Sequence, residues 1–89
     1  MTPAEAEALA VEALTFLASD PERLGPFLGA AGIGPGELRG VAGEPGFLAA
    51  VIEHIMSDDA LVLAFAESAR IRPTLVAVAH HLLARDFDG

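Results

Sequence analysis

Apolar residues recur along this chain at helical spacing, and each recurrence follows a residue that favours a helix start. Thr2, Pro3 and Glu5 have the pattern of a capping box, and the apolar positions after them predict a first helix to about Ala18. Further starts are predicted at Asp20-Pro21, Gly34-Pro35, Glu44-Pro45, Ser57-Asp58 and Pro73. No segment alternates apolar and polar residues long enough to predict a strand. The pattern predicts an all-α fold, a compact bundle of about five to six short helices.

The same pattern predicts where helices end and how they are buried. The second helix should end at Gly32, and Pro26 inside it predicts a kink or a tight first turn. The fifth helix carries an unbroken apolar run over residues 60–66, so we expect it to be the central helix, surrounded on most sides. The sixth helix should end near Arg85, and we expect residues 86–89 to form a loose tail.

Two parts of the chain resemble each other when they are aligned at an offset of 38 residues. Residues 19–38 and 57–76 then share six of 20 positions: a serine, an aspartate, a phenylalanine, an alanine, an isoleucine and a proline. These residues suit the cap of one helix, its buried ring and the start of the next helix. The pattern predicts an internal duplication of a three-helix unit, 8–42 and 46–80, in a single domain over 1–89. The alternative is that such caps and prolines recur in any helical protein.

The residue types that are missing exclude several chemistries. The chain has 89 residues and no cysteine, which excludes disulfides, a thiolate nucleophile and cysteine-ligated zinc or iron–sulfur clusters. It has no lysine, which excludes a Schiff base and a P-loop. No glycine pattern supports nucleotide binding, and we predict no cofactor.

The charge balance bears on partners and on location. Thirteen acidic against five basic residues give a formal net charge of −8, which argues against nucleic acid because Lys and Arg bind its phosphates. The N-terminus is acidic where a secretory signal is basic, and no apolar run approaches the ~20 residues of a membrane span. We predict a cytoplasmic protein that binds neither nucleic acid nor membrane.

Two arginines and a histidine are the candidate ligand-binding residues. In the repeat alignment Arg70 and Arg72 replace glycines on either side of an isoleucine, just before the helix that starts at Pro73. Two guanidinium groups at a helix start suit a carboxylate or phosphate ligand, and His80 lies further along that helix. The structural alternative is that Arg70 complements the dipole at the end of the fifth helix and Arg72 pairs with surface acids.

The other polar side chains favour structural roles. His54, His80 and His81 lack the spacing of a metal site, so we predict no metal. His54 aligns with an aromatic residue of the other half, which favours a ring at the edge of the core. No serine has an evident base, and the hydroxyls of Ser19 and Ser57 are predicted to cap helix starts. We predict no catalytic residue.

Two segments, Phe16–Leu24 with Phe27-Leu28 after it, and 43–51, resemble a known family. The run from Asp20 to Leu24, Asp-Pro-Glu-Arg-Leu, is the most specific part of the resemblance. The family consists of short, alanine-rich, mostly alphaproteobacterial proteins known only as a domain of unknown function. The resemblance extends over nearly the whole chain. It implies a stand-alone helical bacterial protein and brings no activity, ligand or catalytic residue.

Two functions fit these features. The chain is 53% apolar, more than one compact helical layer easily buries, and large exposed apolar patches mark partner sites. We therefore expect a non-enzymatic protein-interaction module that binds another protein of basic charge, or a second copy as a homodimer, through an apolar patch and an acidic surface. The alternative is a small anionic-ligand-binding or catalytic protein that uses Arg70, Arg72 and His80 in a closed pocket.

Overall fold

Six α-helices build the fold in the computed structural model, which describes residues 1–42 and 44–88, with side chains at 1–34, 36–42, 44 and 46–85. The helices are α1 (Pro3–Ala18), α2 (Pro21–Ala31), α3 (Leu38–Val41), α4 (Pro45–Met56), α5 (Asp59–Ala69) and α6 (Thr74–Asp88). A short 3-10 helix, Pro35–Glu37, precedes α3. The described residues form no strand, and the predicted all-α bundle is confirmed.

Three helices, α1, α4 and α6, form the centre of the bundle and pack extensively against one another. Their apolar stripes supply most of the fully buried large side chains, among them Leu17, Val51, Ile52, Ile55 and Leu83. The α4 helix is the most central, because it has the most buried large apolar side chains and, like α1, also packs against α2 and α5. Each such side chain contributes roughly 1.5–3 kcal/mol by its burial, so these stripes carry most of the stability.

The prediction that the fifth helix is central is wrong. The α5 helix packs mainly against α4, and only Phe65 and Ala66 of its apolar run are buried. Leu63 is 59% exposed, because an unbroken apolar run covers every side of a helix while only one side of α5 meets the bundle. None of the described helices, α5 included, combines the length and the apolar character that crossing a membrane requires.

The last helix is longer than the sequence predicts. It continues through residues 86–88, so the prediction of a loose tail there is wrong. No proline or glycine occurs between Pro73 and Gly89, and nothing in the local sequence therefore ends the helix at Arg85. Gly89, the last residue of the predicted tail, lies outside the described residues.

Prolines and glycines shape the segments between the long helices. Where the sequence predicts one short third helix to about Ala42, the chain forms the 3-10 helix and then the single turn of α3. Gly36 and Gly40 weaken a regular helix there. The α2 helix continues without a break through Pro26, whose side chain is exposed, and the kink at that residue stays a prediction.

The two halves share their helix ends at the predicted offset of 38 residues. The carboxylates of Asp20 and Asp58 each accept a hydrogen bond from the N–H two residues on, at 3.0 and 2.9 Å. Gly32 and Arg70 end α2 and α5 in the left-handed conformation. The third segments differ, because α3 has four residues and α6 has 15. The internal duplication itself stays a prediction, and superposing residues 8–42 on 46–80 tests it.

Candidate functional site

The three predicted ligand-binding residues lie in the α5–α6 turn and in the middle of α6. Arg70 and Arg72 are exposed on either side of the half-buried Ile71. His80 lies about 9 Å along α6 from the first residue of that helix. Its Nε2 is 3.9 Å from Oε2 of Glu53 on α4, so an anion at this ring would meet an existing carboxylate. The structure brings His80 together with Glu53, and the anionic-ligand site of Arg70, Arg72 and His80 stays a prediction.

Arg70 has a backbone role as the residue that ends α5. Its φ and ψ are 58° and 45°, a conformation uncommon for residues other than glycine. The N–H of Arg70 donates to the Glu67 carbonyl at 3.3 Å, and the N–H of Ile71 donates to the Ala66 carbonyl at 3.0 Å. These are the two hydrogen bonds of a Schellman helix end. Arg72 joins neither of the two ion pairs found among the described side chains.

The histidines occupy separate positions. The ring of His54 packs edge-on against Phe27, with centroids 5.2 Å apart, and His54 is half-buried at the edge of the core, as its position in the sequence predicts. His81 is exposed on α6. Within the described part of the chain, no group of three or more His, Asp or Glu residues could hold a metal ion.

The hydroxyls of Ser19 and Ser57 bond backwards along the chain. Each donates to the carbonyl three residues before it, at 2.7 and 2.6 Å. The prediction that they cap the following helices is wrong, because the carboxylates of Asp20 and Asp58 already accept from the free N–H groups there. The serines instead satisfy carbonyls at the ends of α1 and α4, which lack a partner within the helix.

An open groove of about 510 Å³ lies between α1 and α5, and we call it the α1–α5 groove. Its apolar lining consists of Val11, Phe16, Phe65 and Ala69, and its polar lining is Glu12 and three hydroxyls. The Phe16 and Phe65 rings meet at a centroid distance of 5.5 Å and form its floor. Val11 is 49% exposed on its rim. The groove stays open because α5 packs against α1 over only a short stretch.

Phe16 is held from a second side by Arg23. The guanidinium carbon of Arg23 lies 4.5 Å from the centroid of the Phe16 ring. At partly exposed sites such a cation–π contact contributes about 0.5–1 kcal/mol. Nη1 of Arg23 is also 3.9 Å from Oδ2 of Asp20, so the positive charge beside the groove has its own carboxylate. The ring that forms the groove floor is therefore fixed by Phe65 and Arg23 together.

A second groove, of about 310 Å³, lies between α1 and the start of α6, and we call it the α1–α6 groove. Its apolar lining includes Met1, Leu9, Ile71 and Leu75. Glu12 lines this groove as well as the α1–α5 groove. The two grooves are therefore neighbours along one face of α1.

A third cavity, of about 350 Å³, lies between α2 and α4. Phe27 and alanines of both helices line it, with Glu53, His54 and Ser57 at its edge. The His54 ring packs on Phe27, and the Ser57 hydroxyl donates to a backbone carbonyl. Because these groups already have partners within the bundle, the cavity does not assemble a nucleophile with an available base.

The charged side chains within the two helices that form the α1–α5 groove all have one sign. The charged side chains of α1 are Glu5, Glu7 and Glu12, and those of α5 are Asp59 and Glu67. Neither helix contains an arginine or a histidine. The two walls therefore present apolar surface next to negative charge.

Glu5 is fixed by the capping box at the start of α1. The Thr2 N–H donates to Oε1 of Glu5 at 2.9 Å, and the Glu5 N–H donates to Oγ1 of Thr2 at 3.1 Å. The hydrogen bond from the Thr2 backbone, with a further one from its side chain, lowers the pKa of Glu5 below its ordinary value of 4.5. The carboxylate is therefore charged at neutral pH, beside the α1–α6 groove that it helps to line.

The grooves are not predicted by the sequence. The one available signal is Val11, an apolar residue that lies off the buried stripe of Leu9, Ala13 and Leu17. An apolar side chain on the outer side of a helix is common in isolation. It indicates a site here only because α5 places Phe65 and Ala69 opposite it.

Comparison with known proteins identifies a family and no function. A protein-family model matches residues 3–86, and its description reads "Protein of unknown function (DUF3572)". No curated protein and no solved structure shows significant similarity to the chain. The grooves and their charges are therefore the features of the chain that bear on function.

Proposed function

The chain belongs to the family described as "Protein of unknown function (DUF3572)", and we propose that it is a non-enzymatic module that binds another protein. The α1–α5 groove carries the proposal, because it exposes Val11 and part of the Phe16 ring between two acidic helices. Apolar surface bordered by polar groups is typical of protein-binding sites.

The placement of the polar side chains supports a binding role over a catalytic one. The His54 ring is packed on Phe27, the Ser57 hydroxyl bonds to the backbone, and His80 faces Glu53. A catalytic site requires a nucleophile or base that is free to contact a substrate, with a neighbour that orients it. These three groups have structural partners instead.

The partner that we propose is a protein of basic charge in the cytoplasm, and neither nucleic acid nor membrane. The net charge of −8 favours a basic partner, because opposite charges speed the encounter and fix its orientation. The absence of cysteine is typical of proteins that do not depend on an oxidising compartment. A homodimer is the second candidate, but pairing this groove with its own copy would place acidic walls against each other.

A crosslinking experiment tests the proposal. A benzophenone amino acid is placed at position 11, on the groove rim, or at position 78 on α6, where Val78 is 42% exposed and lines none of the three cavities described above. After irradiation of the producing cells we expect a defined protein adduct from position 11 and none from position 78. An adduct of twice the chain mass would identify the homodimer. No adduct from position 11, or equal labelling from both positions, contradicts the proposal.

A further inference from the structure

One face of α1 stays uncovered along almost its whole length. Its positions in the two grooves are spaced three or four residues apart: Met1, Glu5, Ala8, Glu12, Thr15 and Ser19. From Glu5 to Ser19 this face is about 21 Å long at 1.5 Å per residue. Phe65 and Ala69 form the opposite wall beside one half, and Ile71 and Leu75 form it beside the other. The two grooves together match the length of a partner helix of about four turns.

The apolar groups along this face are placed for contacts with such a helix. Met1 and Val11 are 45% and 49% exposed and belong to the most exposed large apolar side chains among the described residues. Phe16 is half-buried and lies in the α1–α5 groove, nearer than Val11 to the C-terminal end of α1. A partner helix in an apolar groove places its anchor side chains at i, i+3, i+4 and i+7. The groove positions on α1 are also three or four residues apart, so the two helices can contact each other along their length.

The charges along this face of α1 determine which charge is favoured on the polar side of the partner helix. Glu5 and Glu12 line the grooves, and neither α1 nor α5 carries a basic side chain. Arg23, beside the floor, is already paired with Asp20, and the exposed Arg70 and Arg72 line neither groove. Lysine or arginine on the occupant would complement this surface, whereas acidic side chains would be repelled.

We infer that the occupant of the two grooves is a basic amphipathic helix of another protein, an inference that rests on the proposed function. A helix fits because it satisfies its own backbone hydrogen bonds, whereas a peptide that binds as a β-strand needs a sheet edge, and the described residues contain no strand. A second copy of the chain does not supply a long helix of positive charge. Among the described helices only α3 has a net positive charge, and it is a single turn.

A synthetic peptide tests the inference. The probe is an 18-residue helical peptide with leucine along one face, lysine along the other and one tryptophan. The chain has no tryptophan or tyrosine, so the tryptophan fluorescence reports the peptide alone. A control peptide carries glutamate in place of lysine. We expect the lysine peptide to bind at least about tenfold more tightly than the glutamate peptide, and its affinity to fall as salt is added.

Paired variants locate the site. Val11→Asp is compared with Val78→Asp, and Glu12→Lys with Glu7→Lys, since all four side chains are exposed and only Val11 and Glu12 line the grooves. Val11→Asp should weaken binding of the lysine peptide about tenfold or more, because it places a charge against apolar surface, and Val78→Asp should leave it unchanged. Glu12→Lys should weaken binding about fivefold more than Glu7→Lys. Circular dichroism confirms that each variant is folded.

The possible outcomes separate this inference from the proposed function. Equal binding of both peptides, lost in Val11→Asp, overturns the basic helix and leaves a protein-binding groove. A dimer detected by sedimentation and lost in Val11→Asp also overturns the basic helix, because a second copy then fills the groove. If neither peptide binds and position 11 gives no crosslink, the inference and the proposed function both fail.

Discussion

Arg70 adopts a backbone conformation that glycine would adopt with less strain. Its φ is 58°, and the corresponding position at the end of α2 is Gly32, with a φ of 70°. We predict that Arg70→Gly raises the free energy of unfolding by about 1 kcal/mol, because the left-handed conformation costs a residue with a Cβ about that much. Urea denaturation of both proteins measures the difference.

Gly32→Ala is the matched control for this prediction. A Cβ at Gly32 would meet nothing within 4 Å, so only the backbone conformation opposes it, and stability should fall by about 1 kcal/mol. If Arg70→Gly instead destabilises the protein, the Arg70 side chain makes a contact that outweighs its backbone strain. That outcome would support the structural alternative, in which Arg70 complements the dipole at the end of α5.

Glu5 gives a prediction on pH. Its pKa is lowered in the folded protein by the hydrogen bond from the Thr2 backbone, so ionised Glu5 favours folding. This stabilisation is present above the ordinary pKa of 4.5 and is lost as the pH falls through the lower folded-state pKa. We expect Glu5→Gln to melt at a lower temperature than the parent near pH 7, with the difference shrinking between about pH 6 and pH 3. A difference that is constant over that range contradicts the role of the charge.

Residue roles that depend on near neighbours could be predicted from the sequence. The capping box at Thr2 and the aspartate caps of α2 and α5 involve groups two or three residues apart, and the structure contains all of them. The hydrogen-bond partners of Ser19 and Ser57 were harder to predict, because a hydroxyl between two helices can bond to the helix before it or to the helix after it. The local sequence is the same for either choice of partner.

At the scale of helices, boundaries were easier to predict than packing. Proline and aspartate starts locate the long helices, whereas the apolar content of α5 predicted a central position that α4 occupies. The reason is that an apolar run indicates how much of a helix's surface favours burial, but it does not indicate which other helices pack against that surface. In α4 the buried side chains lie on one broad face, and that face, rather than the longest run, marks the centre.

The peripheral position of α5 predicts two different mutational effects within one helix. Phe65 is 1% exposed, so Phe65→Ala should cost about 3–5 kcal/mol of stability, as expected for removing a buried ring. Leu63 is 59% exposed, and Leu63→Ser should change stability by no more than about 0.5 kcal/mol. Chemical denaturation measures both. A comparable loss in the two variants would place α5 at the centre of the bundle after all.

At the scale of the whole molecule, the uncovered apolar surface and the acidic charge occur together. The two grooves follow α1, whose charged side chains are all carboxylates, and the opposite wall comes from α5 and the start of α6. This coincidence depends on how short the stretch is over which α5 packs against α1, which no local pattern encodes. The candidate site could therefore not be predicted from the sequence, although the apolar excess and the negative charge that define it were both visible there.

The extent of the contact surface can be measured by nuclear magnetic resonance on the labelled protein, titrated with the lysine peptide. A basic helix in the two grooves predicts shifted amide signals along residues 5–19, along residues 65–71 and at Leu75 at the start of α6. The signals of Ala77, Val78 and His81, exposed on the outer side of α6, should stay in place. Shifts that are strongest on the outer side of α6, or that are spread evenly over the molecule, would contradict binding in the grooves.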